Sequence, residues 1–250
     1  MVRRLHVLLL VMILAVVSVV PASGQASAAG APVVGSYSRV AGSIAYLNMR
    51  TGPGYGYSVR TTMRKGEIVK ILAGRYNGEW YKVSYRGFVG YALDDYVVHT
   101  GLAGASIARS YYKVVVVSLA RQQAEVYQNG QLVFVSAVTT GRPGYTTPTG
   151  TFKVMAKLSP HRFVSPYPKG SSGYYEPFTA EYAIRFRTGG YYFHDIYRRP
   201  YYGYGTNVVH TDPDGVVRKG SIGCVNMPLW SVSKLYSWIS VGTVVRVVSW

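Results

Sequence analysis

Cys224 is the only cysteine in a chain of 250 residues. It sits in the string Gly220-Ser221-Ile222-Gly223-Cys224-Val225-Asn226-Met227-Pro228. With one cysteine, neither an intrachain disulfide nor a cysteine-based zinc cluster can form. A lone thiol is then either buried and inert or reactive. Three neighbours favour reactivity. Gly223 lets backbone pass close to a substrate carbonyl. The amides around Gly223 and Cys224 are candidate oxyanion donors. A helix expected to begin just after Cys224 would bring its positive end near the sulfur and favour the thiolate. A thiol nucleophile also needs a base, usually histidine. The candidates are His99, His161, His194 and His210. His194 ends the apolar run 191–195, which can hold an imidazole rigidly at a strand end. His210 lies in 207–217, expected as a hairpin around Asp212-Pro213-Asp214-Gly215. No carboxylate pair, phosphate loop or metal-spaced His/Asp cluster stands out, so no metal and no cofactor is expected.

These residues need a scaffold, and the segment 111–250 is long enough for its own core. Residues 113–120 and 124–141 read as strands joined by an Asn129-Gly130 hairpin turn. Residues 146–157 enter another strand after a Pro/Gly turn, and 181–196 form a second hairpin around Gly189-Gly190. Residues 227–239 are the one convincing helix. Leu229, Val232, Leu235 and Ile239 recur at near-helical spacing, and Pro228 suits a first turn. Residues 241–250 read as a last strand.

Upstream, residues 36–100 show short alternating runs punctuated by glycine, at 43–50, 67–72, 79–86 and 87–93. Such runs suit a small barrel. Trp80 is expected in its core. The small-residue stretch 101–110 reads as a linker. At the N-terminus Arg3 and Arg4 precede an apolar run from Leu5 to Val20. Ala26-Ser27-Ala28 follows in a stretch of small residues. The pattern reads as an export signal over residues 1–28; the apolar run is short for a spanning helix, so no stable membrane insertion is expected.

Composition narrows the partners. Hydrophobic residues make up 48% and charged residues 15%, which excludes a disordered polar chain. Lys and Arg number 27 against 10 Asp and Glu, a formal net charge of +17. An excess this basic favours an anionic partner. With an export signal, anionic cell-wall polymers are expected and nucleic acid is not. The 24 Tyr against 7 Phe suit wet, extended binding surfaces. A monomer, secreted to the cell wall or periplasm, is expected.

Two resemblances follow from these strings. Residues 47–54, 65–72, 77–91 and 94–97 resemble a bacterial SH3-like domain, which implies wall binding or docking. Residues 112–249 are similar to an L,D-transpeptidase catalytic domain. The similarity rests on 114–133, Gly141, the string 147–152, the His194 setting (193–199), and the motif Ser221-Ile222-Gly223-Cys224-Val225-Asn226. The resemblance implies a mainly β chain: a small SH3-like β-barrel, then a mostly β catalytic domain with one main helix after the nucleophile. It implies Cys224 as nucleophile and His194 as base, with Ser221, Gly223, Asp195 and Asn226 in support. Peptidoglycan stem peptides would be donor and acceptor, joined through a thioester. A carboxypeptidase, or a wall-binding protein with a degenerate site, stays open.

The sequence departs from the family twice. Ile222 replaces the motif histidine. Between His194 and Ser221 lie 26 residues, more than the family places there, and between His210 and Ser221 only 10. The 207–217 hairpin is read as an insertion. Its His210 either folds back over the site to supply the missing imidazole in support, or is incidental on an exposed hairpin. The stretch 159–178 is either a flap over the donor site or a plain surface loop.

Overall fold

The computed structural model describes residue 32 and residues 34–250. The expected export signal, residues 1–28, lies outside them. Seven strands build the N-terminal unit: β1 (Tyr37–Val40), β2 (Tyr46–Arg50), β3 (Val59–Arg64), β4 (Ile68–Tyr76), β5 (Trp80–Tyr85), β6 (Phe88–Leu93) and β7 (Val97–His99). Period-two patterning sets their faces. In β5, Tyr81, Val83 and Tyr85 turn inward onto Met49, Met63 and Ile71. Trp80 is buried too, on the other side, where the edge of Tyr55 covers it at 5.2 Å. The ladder runs β3-β2-β6-β5-β4-β1-β7. Its edge strands β3 and β7 do not pair, so the sheet wraps its core without closing into a barrel.

The 101–110 stretch, expected as a plain linker, is packed. It holds the short helix α1 (Ala105–Ala108), and Ala103 and Ala108 are buried against Val114, Val116 and Tyr127. Glu125 explains this. Its carboxylate is fully buried and accepts the N–H groups of Ala103 (2.7 Å) and Gly104 (2.8 Å), Gln123 Nε2 (2.9 Å) and the Tyr127 hydroxyl (2.6 Å). A buried carboxylate is tolerated only when its lone pairs are met. The segment is thereby bound to the second unit.

That unit is two sheets around one core. The larger runs β10 (Gln131–Ala137), β9 (Gln123–Gln128), β8 (Lys113–Ser118), β20 (Val244–Val248), β11 (Gly150–Lys153). The smaller runs β12 (Ala156–Leu158), β15 (Ala183–Arg187), β16 (Tyr191–Asp195), β19 (Val225–Met227). Val115, Val117, Phe186, Phe193, Val225 and Leu235 meet between them. The β9–β10 turn has Asn129 and Gly130 both at positive φ, 51° and 72°, as a two-residue hairpin demands. Helix α2 (Leu229–Trp238) buries Val232 and Leu235, and Ile239 caps it. Leu229, expected in the same stripe, is 52% exposed, and Pro228 is the N-cap residue rather than part of the first turn.

The N-terminal sheet grips the chain that follows His194. Arg64 Nη1 donates to the Pro200 carbonyl (3.1 Å), and Tyr46 meets Tyr201 at 6.4 Å. Arg86 is paired with Glu67 and lies 4.4 Å over the Trp230 ring. Gly66 is the tightest point. At φ +90°, a Cβ there would come 1.8 Å from the Tyr202 carbonyl oxygen. Gly66→Ala is therefore expected to lift the N-terminal sheet off the 200–203 segment. The strain of a left-handed non-glycine residue alone is about 1–3 kcal/mol. Hydrogen exchange should speed up at 200–204 while β8 and β9 stay protected; unchanged exchange at 200–204 would disprove the clamp.

Candidate functional site

Register places the chemistry. Strands β16 and β19 pair in parallel, with Phe193 opposite Val225, His194 opposite Asn226 and Asp195 opposite Met227. Alternation turns Phe193 and Val225 into the core. It turns Tyr192 and His194 on one strand, and Cys224 and Asn226 at the start of the other, to the opposite face. There they line one cleft of about 900 Å³. Pairing distant segments by register is what sequence spacing could not foresee. The 26 intervening residues leave the sheet and return to it.

His194 is 4% exposed. The rings of Phe163 and Phe178 flank it at 4.6 and 5.6 Å. Its Nδ1 lies 2.9 Å from the Asp195 backbone carbonyl. A carbonyl only accepts, so Nδ1 carries the proton and Nε2 keeps its lone pair. The Asp195 carboxylate turns elsewhere, accepting the Tyr182 and Glu181 amides at 2.9 and 3.1 Å. Burial pushes the His194 pKa down to about 4; the Asp195 carbonyl and carboxylate oppose that, and His161 reinforces it.

Cys224 is 9% exposed, and its Sγ–H donates to the Gly190 carbonyl at 3.3 Å. Burial pushes the thiol up to about 12, against the pull of a Tyr192 backbone hydrogen bond. The resting pair is therefore thiol and neutral imidazole, since in each case burial favours the uncharged form. The expected helix-end effect is lost on geometry. β19 intervenes, and α2 begins five residues beyond the sulfur at Leu229.

The motif loop is fixed by side-chain straps. Ser221 Oγ donates to the Cys224 carbonyl (2.5 Å) and accepts the Gly223 amide (3.0 Å). The Gly223 amide is thus already engaged, leaving the Cys224 amide as the remaining candidate oxyanion donor of that pair. Thr147 Oγ1 donates to the Gly223 carbonyl (2.8 Å) and accepts the Gly141 amide (3.0 Å). Gly223 has φ +116°, and a Cβ there would sit 2.7 Å from the Tyr191 ring. Glycine is thus required by the backbone and the Tyr191 ring, apart from any substrate. Asn226 lines the cleft with a buried Oδ1 that has no partner.

His210 is not brought to the cleft. Its Nδ1 lies 2.8 Å from the Val208 carbonyl and its Nε2 3.0 Å from Asp212 Oδ1. Both nitrogens are taken within its own hairpin, β17 (His210–Thr211) and β18 (Val217–Arg218). The hairpin contributes Arg218 and Lys219 to the cleft instead. The second imidazole in the cleft is His161, stacked on Tyr192 at 5.4 Å. It belongs to 159–178, nine of whose 20 residues line the cleft: β13 (His161–Phe163) and β14 (Phe178–Ala180) pair, and a hydrogen bond of 2.7 Å between Ser172 Oγ and the Tyr145 hydroxyl ties the turn between them to Tyr145. Sequence reading named His161 among possible bases, but nothing in its local string distinguished it from an incidental ring. Ile222 lines the same cleft.

Residues 112–247 match the family model described as the L,D-transpeptidase catalytic domain, and residues 45–98 that of the bacterial SH3 domain. No curated protein matches the chain. Among solved structures, a mutant of Enterococcus faecium L,D-transpeptidase is 24% identical, with a TM-score of 0.46, over 55% of this chain and 50% of that one. An isolated catalytic domain from E. faecium is 25% identical, TM-score 0.43, over 54% and 96%. An L,D-transpeptidase from Mycobacterium smegmatis is 18% identical, TM-score 0.47, over 90% and 96%. The chain spans about half the length of the first of these.

Proposed function

The chain belongs to the L,D-transpeptidase catalytic-domain family, and from that premise we propose that it is an exported enzyme that cross-links peptidoglycan stem peptides through a Cys224 thioester. The observation that carries the reading is the β16–β19 register, which sets Cys224, His194 and Asn226 on one face of a single cleft.

His194 Nε2 takes the Sγ proton as sulfur attacks the carbonyl carbon of the third stem residue. The Cys224 amide holds the oxyanion. As the C–N bond breaks, the imidazolium returns the proton to the departing amine of the terminal D-Ala. An amine from a second stem then attacks the thioester, its proton passes to His194, and the C–S bond breaks. Sulfur regains its proton from the imidazolium. Water in place of the amine gives a trimmed peptide. Residues 1–28 direct export, and the basic N-terminal sheet holds the enzyme to anionic wall polymer.

Purified residues 29–250, incubated with tetrapeptide-bearing wall fragments, should yield dimers lighter by one D-Ala than two donors, as read by mass spectrometry. Trimmed monomers alone would make the protein a carboxypeptidase. Unchanged fragments would overturn the proposal in favour of a wall-binding protein.

A further inference from the structure

The cleft around Cys224 is one-signed. Arg142, Arg162, Arg198, Arg199, Arg218 and Lys219 line it, and among the described residues no Asp or Glu does. These cations are not equivalent. Arg218 is neutralised by Asp212 (2.8 Å) and Asp214 (2.7 Å). Arg142 is held by the Ser172 carbonyl and lies over the Tyr145 ring at 4.6 Å. Arg198 reaches the Tyr197 hydroxyl on the exposed side. Arg162 is exposed in β13.

Arg199 and Lys219 differ from these. Arg199 Nη2 donates to the Lys219 carbonyl, which ties the segment after His194 to the hairpin exit. The other two Arg199 nitrogens, Nε and Nη1, are buried and have no partner. A desolvated guanidinium with unmet donors is costly, and a carboxylate is the group whose geometry relieves that cost. Lys219 is exposed and stands two residues before Ser221, at the entrance to the motif loop. The segment bearing Arg199 is the one gripped by Arg64 and Gly66 of the N-terminal sheet, so its position does not depend on the substrate.

We infer that Arg199 and Lys219 form a carboxylate subsite that holds a negatively charged group of the acyl donor next to its scissile carbonyl. This rests on the transpeptidase reading for the identity of the donor, though not for the existence of the anion site. Two carboxylates of a stem peptide share this chemistry: the C-terminal one on the leaving residue, and a side-chain one on the third residue. Both lie within one residue of the attacked carbon.

Two measurements on the full mature chain test it. The first compares donors with a free C-terminus, an amidated C-terminus, and an amidated third side chain. One amidation should raise KM about tenfold with little change in kcat, as the loss of one charge-assisted contact does. Arg199→Gln and Lys219→Gln should erase the difference, and Lys219→Arg should keep it. The second measurement needs no peptide. Alkylation of Cys224 by iodoacetate relative to iodoacetamide should exceed the same ratio for a free thiol, and the excess should fall with salt and in Lys219→Gln. A ratio equal to that of free thiol, unmoved by either variant, overturns the subsite. If no donor reacts but the iodoacetate excess is present, the subsite stands and the transpeptidase reading fails.

Discussion

Cys224→Ala is expected to abolish both D-Ala release and cross-linking, leaving product at the level of a no-enzyme control. The chain has no other thiol to take over. Oxyanion donors and substrate binding that survive loss of a nucleophile still assist attack by water, by about 10³–10⁴ over the uncatalysed reaction, but uncatalysed amide cleavage is so slow that this residual rate stays below detection. Misfolding is the competing explanation, and the packing argues against it. Cys224 is buried at the cleft but does not belong to the main core cluster, and its carbonyl and the Gly223 amide are held by Ser221 Oγ, which the variant retains. Truncating Sγ removes little buried volume, so the loss in stability should be on the order of 1 kcal/mol. A thermal unfolding curve near that of wild type, together with full loss of product, assigns the effect to chemistry. Measurable cross-linking by the folded variant would remove Cys224 from the mechanism.

The sequence carried the local part of this architecture well. Asn129-Gly130 and Gly189-Gly190 marked their hairpins because few residues accept consecutive positive φ. The Val114–Val117 run marked a strand buried on both faces. The motif around Cys224 marked a loop that lines the cleft. What was hidden depended on who meets whom across the chain. Nothing in the small-residue string 101–110 announces that Glu125 will bind its amides. His210 looked like a spare imidazole until Val208 and Asp212 occupied both its nitrogens. The helix after Cys224, expected from residue 227, begins two residues later at Leu229, and the short strand Val225–Met227 that separates it from the sulfur is visible only once it pairs with β16. The concentration of cations in one cleft was invisible for a further reason. Arg142, Arg162, Arg199 and Lys219 come from separate segments, and an overall charge of +17 does not say where the charge gathers.

The protonation state of the pair separates two mechanisms that share residues. With the His194 pKa pushed down to about 4 and the Cys224 thiol up to about 12, the proton rests on sulfur across the physiological range. His194 must be unprotonated to act as base, so activity is retained above its folded pKa and lost as pH falls through it. The acid limb of kcat/KM is then expected near pH 4, with a flat profile from pH 5 to 7, where an ordinary imidazole would already be titrating. Iodoacetamide alkylation of the free enzyme should still climb with pH beyond 9, where a solvent-exposed cysteine has levelled off. A resting thiolate–imidazolium pair predicts the reverse: an early alkylation plateau below pH 8. The groups facing His194 set the position of the acid limb. Phe163 and Phe178 exclude water from the ring, His161 adds positive charge when protonated, and the Asp195 carbonyl holds Nδ1–H. Phe163→Ala, by admitting water, should move the limb upward towards 6.5 without removing the base. His194→Ala should cost on the order of 10²–10⁴ in rate. His210→Ala should cost nothing measurable in turnover, because its ring is tied to its own hairpin. Turnover that survives His194→Ala and fails in His210→Ala would reverse the assignment. An acid limb that stays near 6.5 in wild type would mean that substrate binding, or water in the cleft, undoes the desolvation that the two phenylalanines impose.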